Sequence, residues 1–240
     1  MYRRMEKQDI RDRIWDTLEA EKVARFPFPP HGRIPNFDGA PAAADRLTTS
    51  ALWEDAEVIK INPDSPQRPV RKRALSAGKT LYMAVPRLRD ESCFLRLDPQ
   101  DIEDIDHATT IGGAAELGQP VHPESMDAVD LIVTGSVAVD LHGGRIGKGE
   151  GYSDLEFAIL REYGLVDDST PIVTTVHDVQ IIEDRISTSP TDVPLDQLCT
   201  PTRTRTIEEP TSKPTGIDWA QIDDDRLEDI PILQMLAPGG

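Results

Sequence analysis

Cysteines and long apolar runs are scarce in this 240-residue sequence. Cys93 and Cys199 are too few and too far apart for a disulfide framework or a paired-cysteine metal site. No stretch is apolar over the length that a membrane span requires, and the amino-terminal residues do not have the pattern of a signal peptide. We therefore expect an intracellular, cytoplasmic protein that has no membrane partner.

Positive charge is also scarce. The 26 lysine and arginine residues are outnumbered by 43 aspartate and glutamate residues, which gives a formal net charge of −17. A phosphate backbone or an anionic membrane must be met by cations, so this balance argues against direct binding to either. Few lysines and many acidic side chains are typical of halophilic proteins, in which strong salt screens the repulsion between like charges. We favour that interpretation over an ordinary acidic protein.

Apolar, β-branched runs alternate with helix-like segments along the chain. The patterns predict strands near 56–61, 80–85, 93–97, 130–139, 171–176 and 198–203, and helices near 7–21, 42–53, 68–77 and 226–235, with one more that ends at Tyr163. This alternation predicts an α/β fold: a mostly parallel, Rossmann-like sheet with helices on both faces. We expect one domain over 1–240, with a proline-rich loop at 26–41 that its phenylalanines anchor and a frayed tail at 237–240. The oligomeric state is left open.

A glycine-rich turn separates the strand at 130–139 from the helix that ends at Tyr163. Gly147, Gly149 and Gly151 occupy every second position, which frees the backbone to adopt positive φ and to approach a ligand closely. Before a helix, such a turn can present backbone N–H groups to an anion, and Arg145 and Lys148 add positive charge. We interpret the turn as a phosphate site. The alternative is a strand-to-helix connection without a ligand.

Two carboxylates and two more cations extend this candidate site. Asp154 lies in the first turn of the helix, where it either stabilises the helix dipole or holds Mg²⁺ against a nucleotide phosphate. Asp196 precedes the last short strand, and the residues around it indicate a turn. Lys7 and Arg11 lie one turn apart on the apolar side of the first helix. There they either reach solvent or a carboxylate, or bind a phosphate.

The run from Arg145 to Asp154, Arg-Ile-Gly-Lys-Gly-Glu-Gly-Tyr-Ser-Asp, resembles the signature R-L-G-x-G-x-G-Y-Y-D of the 5-formyltetrahydrofolate cyclo-ligase (methenyltetrahydrofolate synthetase) family. Extended to Glu156, it is more similar to the branch of methenyltetrahydrofolate synthetase domain-containing proteins. Two further blocks agree: Lys7 to Arg11 matches K-x-x-x-R, and the run Asp-Val-Pro-Leu-Asp-Gln-Leu at 192–198 is similar to V-D-x-[VI]-L. The resemblance covers most of the chain.

This resemblance implies the ATP- and Mg²⁺-dependent conversion of 5-formyltetrahydrofolate, the folate substrate, to 5,10-methenyltetrahydrofolate. It implies catalytic roles for Arg145, Lys148 and Tyr152, and it implies that Asp154 and Asp196 are Mg²⁺ ligands. The residues that it implies in ATP binding come from the first helix and the glycine turn: Lys7, Arg11, Arg145, Gly147, Lys148, Gly149, Gly151 and Tyr152.

Several positions depart from the family's pattern. Ser153 and Leu155 stand where the family usually has tyrosine and arginine, and Glu150 adds a negative charge that opposes phosphate binding. The family's acidic folate-contacting residue, which follows the first strand, aligns poorly with the run at 62–66. Two alternatives therefore stay open: a non-catalytic nucleotide-binding or RNA-associated regulatory relative, or an ATP-dependent enzyme that acts on another pterin or formyl compound.

Overall fold

The computed structural model describes residues 6–238, so the last two residues of the predicted frayed tail lie outside the described part. Its strands are β1 (Ala24–Arg25), β2 (Asn36–Phe37), β3 (Val58–Ile61), β4 (Thr80–Ala84), β5 (Phe94–Leu97), β6 (Gln119–Val121), β7 (Leu131–Thr134), β8 (Ala138–Asp140), β9 (Arg145–Ile146), β10 (Ile172–Thr175), β11 (Ile181–Ile182), β12 (Gln197–Cys199) and β13 (Thr204–Thr206). Its α-helices are α1 (Lys7–Ala20), α2 (Ala40–Thr48), α3 (Ala51–Glu54), α4 (Arg68–Ser76), α5 (Ile105–Ala108), α6 (Ile111–Leu117), α7 (Tyr152–Glu162), α8 (Asp224–Asp229) and α9 (Pro231–Leu236).

The main sheet has eight strands in the order β13-β12-β10-β7-β3-β4-β5-β6. Its five inner strands, from β12 to β4, pair in parallel, whereas β13, β5 and β6 pair antiparallel at the two edges. All four residues of β7 and of β10 are buried, as expected for parallel strands that are covered on both faces. The prediction of a mostly parallel α/β sheet is confirmed.

Helices cover both faces of this sheet. Leu131 and Val133 of β7 pack in an apolar cluster with residues of α2 and α4, whereas Ile132 packs in another with residues of α7 and α9. Successive strand residues point to opposite faces, so one short strand serves both clusters. The prediction that helices lie on both faces of the sheet is confirmed. That residues 1–240 form one domain stays a prediction.

A small three-stranded sheet, in the order β11-β8-β9, carries the first helix. The apolar side of α1, predicted from its periodicity, packs against this sheet and is buried through Ile10, Ile14, Trp15 and Leu18. Since the glycine-rich turn follows β9 directly, this packing places the first turns of α1 beside that turn.

The predicted strand at 130–139 is wrong as one element. It divides into β7 and β8 around Gly135, where the chain leaves the main sheet and enters the small one. A Cβ atom at Gly135 would lie 2.9 Å from Asp64 Oδ2 and 3.0 Å from a side-chain carbon of Ile34. The close approach of these two side chains therefore requires glycine here.

Two other expectations are corrected. The predicted closing helix at 226–235 is divided into α8 and α9, because Pro231 starts a new helix. In the proline-rich loop, the prediction holds for one of the three phenylalanines. Phe37 is buried and anchors the loop together with Ile34, whereas Phe26 and Phe28 are 78% and 59% exposed. Of the helices within 6–238, none is long and apolar enough to cross a bilayer.

Candidate functional site

A cavity of about 360 Å³ lies beyond the carboxyl ends of β3, β4 and β7. We call it the main cavity. Its lining includes the glycine-rich turn with the start of α7, and residues that follow β3 and β4. Ligands of open α/β sheets bind at this edge. Six of the predicted site residues line the cavity: Arg145, Gly147, Lys148, Gly151, Tyr152 and Asp154.

The turn has the backbone conformation that its glycines predict. Gly149 and Gly151 have φ values of 112° and 71°, which L side chains rarely adopt, and Gly151 is the N-cap of α7. The turn therefore leads directly into the positive end of an 11-residue helix that points at the main cavity's wall. Such an arrangement suits an anion.

Arg145 and Asp154 form an ion pair across this turn. Arg145 Nη2 donates to Asp154 Oδ1 at 2.6 Å, and Arg145 Nη1 donates to the carbonyl of Gly135 at 3.0 Å. Asp154 Oδ1 also accepts the backbone N–H of Val193 at 3.0 Å. Arg145 is almost fully buried, and its Nε has no hydrogen-bond partner among the described residues. One donor of the guanidinium is thus buried without a partner.

The carboxylate of Asp154 would supply an oxygen ligand of the kind that a magnesium ion prefers. Both of its recorded hydrogen bonds go to Oδ1, while the cavity borders the residue. Residues 6–238 contain no group of three or more His, Cys, Asp or Glu side chains that could hold a metal by themselves. Magnesium commonly takes one or two protein carboxylates and completes its shell with phosphates and water, so a single aspartate is sufficient.

Lys7 and Arg11 contact the site from α1 but do not line the main cavity. Arg11 Nε donates to the carbonyl of Gly147 at 2.7 Å, and burial lowers the pKa of this guanidinium. Lys7 Nζ lies 2.6 Å from Asp192 Oδ2 in a half-exposed ion pair. Arg11 thus faces the protein body, as expected. Lys7 pairs with a carboxylate, which is one of the alternatives that the sequence left open.

The structure does not bring Asp196 together with Asp154. Asp196 precedes β12 and accepts the N–H of Ile172, the first residue of β10, at 2.7 Å. Its carboxylate also lies 3.0 Å from the buried ammonium of Lys213. These contacts place Asp196 at the amino ends of two parallel strands, away from the carboxyl edge where Asp154 lies. They indicate a structural role, in agreement with the interpretation that the residues alone suggested.

Two of the divergent positions have compensating contacts. The hydroxyls of Ser153 and Thr134 lie 2.8 Å apart, so the serine ties α7 to the end of β7. Lys148 pairs with Glu150 at 2.6 Å, and both side chains are partly exposed. The negative charge that Glu150 adds is therefore met within the turn itself.

Asp64 is a cavity residue that the sequence analysis did not assign. It follows β3 in the chain and lines the main cavity together with the glycine-rich turn. Burial raises the pKa of its carboxyl group above the ordinary value of 3.8, an effect that the positive charge of Lys148 partly opposes. The available signal was an acidic residue soon after the first core strand, where the family has its folate-contacting acid.

A buried ion pair below the cavity was also missed. Lys60 of β3 contacts Glu156 of α7, with side chains only 1% and 7% exposed, and Asn62 lies within hydrogen-bond distance of both. Glu156 and Asn62 line the main cavity. A lysine inside an otherwise apolar strand was the signal that could have indicated this pair, since a buried charge needs a partner.

Comparison with known proteins identifies the family of this chain. Residues 3–201 match the model of the 5-formyltetrahydrofolate cyclo-ligase family. The methenyltetrahydrofolate synthase domain-containing proteins of Mus musculus and Homo sapiens are 43% and 39% identical to the chain, over 96% of its length. The chain spans 63% and 61% of the length of these two relatives.

A solved structure supports the fold. The NMR structure of 5,10-methenyltetrahydrofolate synthetase from Aquifex aeolicus matches 87% of this chain and 96% of its own, with a TM-score of 0.55 and 20% identity. The match to the family model and the identity to the two relatives confirm the family resemblance inferred from the motifs. The chain belongs to the 5-formyltetrahydrofolate cyclo-ligase family.

Proposed function

We propose that the protein converts 5-formyltetrahydrofolate to 5,10-methenyltetrahydrofolate at the expense of ATP, with Mg²⁺. The main support is one observation: the main cavity is lined both by the family's glycine-rich signature and by Asp64, an acidic residue that follows β3. The first element suits phosphates and the second suits a pterin, so both reactants of this chemistry have a matching wall.

The folate would bind with its pterin ring towards Asp64 and Asn62. A pterin carries adjacent N–H donors, and buried acceptors of this kind fix the orientation of a ring in a mainly apolar pocket. Met83, Val85 and Leu95 supply apolar lining in the main cavity. Asp64 is thus our candidate for the acidic folate contact that the sequence alone left unassigned.

The triphosphate would lie along the glycine-rich turn. Its oxygens would accept hydrogen bonds from the backbone N–H groups of Gly147, Gly149 and Gly151 and of the start of α7. Arg145 and Lys148 would add charged donors. Lys7 and Arg11 would add positive charge from α1, after exchange of their present partners. Asp154 would hold Mg²⁺, which neutralises the charge on the phosphates when it is bound. We do not extend this role to Asp196.

The reaction needs no covalent protein nucleophile. The formyl oxygen attacks the γ-phosphorus and ADP leaves. N10 of the folate then attacks the activated formyl carbon and releases its proton to water, and phosphate leaves with the formyl oxygen to give the methenyl cation. The protein's part is to align the formyl oxygen with the phosphate and to stabilise the negative charge that spreads over it. Arg145, Lys148 and Tyr152, which border both the turn and the cavity, are the residues we assign to that task.

One observation favours a non-catalytic relative as the second candidate. The charges of the turn are paired with one another, Arg145 with Asp154 and Lys148 with Glu150. A turn whose charges are already satisfied can serve as a structural or regulatory nucleotide-binding element. An enzyme for another pterin or formyl compound uses the same walls with a different ring contact at Asp64.

Formation of ADP in the presence of different formyl donors distinguishes these candidates. We expect ADP only when 5-formyltetrahydrofolate is present. ADP with another formyl pterin, and none with this folate, would move the protein to the other substrate class. ATP binding without ADP formation for any donor would support the non-catalytic relative.

A further inference from the structure

A second cavity, of about 290 Å³, lies on the other side of the glycine-rich turn. Gly151 and Asp154 line both cavities, so the two meet at the start of α7. The outer wall of the second cavity comes from residues 202–238, which we call the C-terminal segment. The match to the family model ends at residue 201, so this wall is an addition to the part that the model covers.

Arg226 is the cation that the C-terminal segment brings to the turn. Its guanidinium hydrogen-bonds the carbonyl of Glu150 and lies 5.6 Å from the centre of the Tyr152 ring. A Cβ atom at Gly151 would lie 3.3 Å from Arg226 Nη2, so the guanidinium passes directly over the glycine. Among the described residues that line the second cavity, Arg226 is the only lysine or arginine.

This position explains how the turn can lack the family's arginine. Leu155 stands in that place and lines the second cavity with an apolar side chain instead. The positive charge lost at Leu155 is supplied by Arg226 from 71 residues further along the chain. The exchange leaves a cation beside the turn and frees the face of α7 to form an apolar wall.

The walls of the second cavity suit a flat heteroaromatic ring with a sugar attached. Leu155 and Ala158 of α7 face Ile217 and Ile222 of the C-terminal segment, and apolar side chains on two sides can sandwich a ring. Ser189 and Thr191 add hydroxyl groups at the border, where a ribose would need hydrogen-bond partners. Asp192, also at that border, is paired with Lys7. When Lys7 moves to the phosphates, the Asp192 carboxylate would be free to accept a ribose hydroxyl.

We propose that the C-terminal segment completes the nucleotide site, with the base and ribose of ATP in the second cavity and Arg226 on its phosphates. The triphosphate then crosses Gly151 and Asp154, and its γ-phosphate enters the main cavity where the formyl group lies. This inference rests on the proposed function, because it assigns the place of the nucleotide in that reaction.

The experiment measures binding of two probes, Mg²⁺-ATP and inorganic tripolyphosphate, to the full chain by calorimetry. Arg226→Gln removes the proposed phosphate contact, and Ala158→Met fills the cavity from its α7 wall. Arg205→Gln is the matched control, since Arg205 is exposed in the same segment and lines neither cavity. Circular dichroism melts verify that each variant is folded. If Ala158→Met is not, Thr191→Met replaces it, since Thr191 lines the second cavity at a position that is not buried.

We expect Arg226→Gln to weaken both probes by about tenfold or more, as the loss of a charge-assisted hydrogen bond does. Ala158→Met should weaken ATP similarly and leave tripolyphosphate unchanged, because only ATP carries a base. Unchanged ATP binding by both variants, while Lys7→Ala loses it, would overturn this inference and leave the proposed function standing. Absence of ATP binding by the wild-type protein would overturn both.

Discussion

Arg145 and Asp154 lie nine residues apart and meet at 2.6 Å, so the two ends of the glycine-rich turn are held together by an ion pair. Arg145 also donates to the carbonyl of Gly135, which connects the turn to the end of β7. The pair therefore fixes the turn against the carboxyl edge of the sheet and leaves a carboxylate at the border of both cavities.

Asp154→Asn should lower kcat by at least about 100-fold, because it removes the charge that we propose for Mg²⁺ while keeping the shape of the side chain. The new amide oxygen can still accept the Val193 N–H, but the buried Arg145 guanidinium loses its charged partner. Urea unfolding therefore accompanies the kinetics and separates a loss of stability from a loss of activity. Steady-state rates across a series of Mg²⁺ concentrations measure the effect. An Asp154→Asn protein with wild-type activity and Mg²⁺ dependence would eliminate the metal assignment.

Asp196→Asn tests the other predicted metal ligand and serves as the matched control. We expect a loss of about 2 kcal/mol in the free energy of unfolding, because the buried Lys213 ammonium loses its charged partner. The KM for ATP and the Mg²⁺ dependence should stay unchanged. If Asp196→Asn instead raises the Mg²⁺ requirement without loss of stability, Asp196 is a ligand after all.

Asp64→Asn should raise the KM for the folate by about 10- to 100-fold, the cost of one mispaired buried hydrogen bond to a polar ring. The KM for ATP should change less, because Asp64 belongs to the segment after β3 and not to the glycine-rich turn to which we assign the phosphates. Initial rates with each substrate varied in turn give both constants. An increase confined to the KM for ATP would contradict our orientation of the folate.

The same residue gives a pH prediction with a defined sign. Burial raises the pKa of Asp64 above 3.8, so the folded protein holds this proton more tightly than the unfolded chain does. Below about pH 4 the group is protonated in both states, so it does not affect the free energy of unfolding. As the pH rises from there to the raised pKa, the wild-type protein loses an increasing part of its free energy of unfolding. The stability of Asp64→Asn relative to wild type should increase over that window and then level off. A relative stability that falls as the pH rises there would contradict a raised pKa.

The buried pair of Lys60 and Glu156 should be sensitive to the loss of either partner. Lys60→Met should lower the free energy of unfolding by about 3–5 kcal/mol, because it leaves the Glu156 charge buried without a cation. The double variant Lys60→Met, Glu156→Leu should recover much of that loss, since two apolar side chains replace both charges. Urea unfolding of the single and double variants measures the coupling. Additive losses would show that the two groups do not act as a pair.

Glu150→Gln should strengthen ATP binding by about two- to fivefold, because it frees Lys148 from a partly exposed ion pair. The gain should shrink in strong salt, which screens exposed charges. Glu208→Gln, an exposed change of the same charge that lines neither cavity, should have no effect. An equal gain from both variants would indicate an effect of net charge alone.

Local patterns predicted much of the fold. The apolar side of α1, the parallel strands and the helix after the glycine-rich turn follow from periodicity and β-branched runs, and all of them are present. The break at Gly135 could not be predicted, because it results from the approach of Asp64 and Ile34, which are distant in the chain. The exposure of Phe26 and Phe28 likewise depends on tertiary packing.

The sequence predicted only the part of the site that the glycine-rich turn and the start of α7 form. Residues of the signature run are adjacent in sequence, so their motif places them together on the cavity wall. Asp64 and Arg226 come from two other segments, and only the sheet order and the docking of the C-terminal segment bring them near the turn. Asp196 shows the converse, since its motif implied a metal ligand and its strand position gives it other partners.

The most direct test of the central claim is the rise in methenyltetrahydrofolate absorbance when the protein is mixed with 5-formyltetrahydrofolate, ATP and Mg²⁺, at low and at high salt. We predict a rise that requires both ATP and the protein, and that is lost in Asp154→Asn but retained in Asp196→Asn. Absence of any ATP-dependent rise in the folded wild-type protein at either salt concentration would contradict the proposed activity.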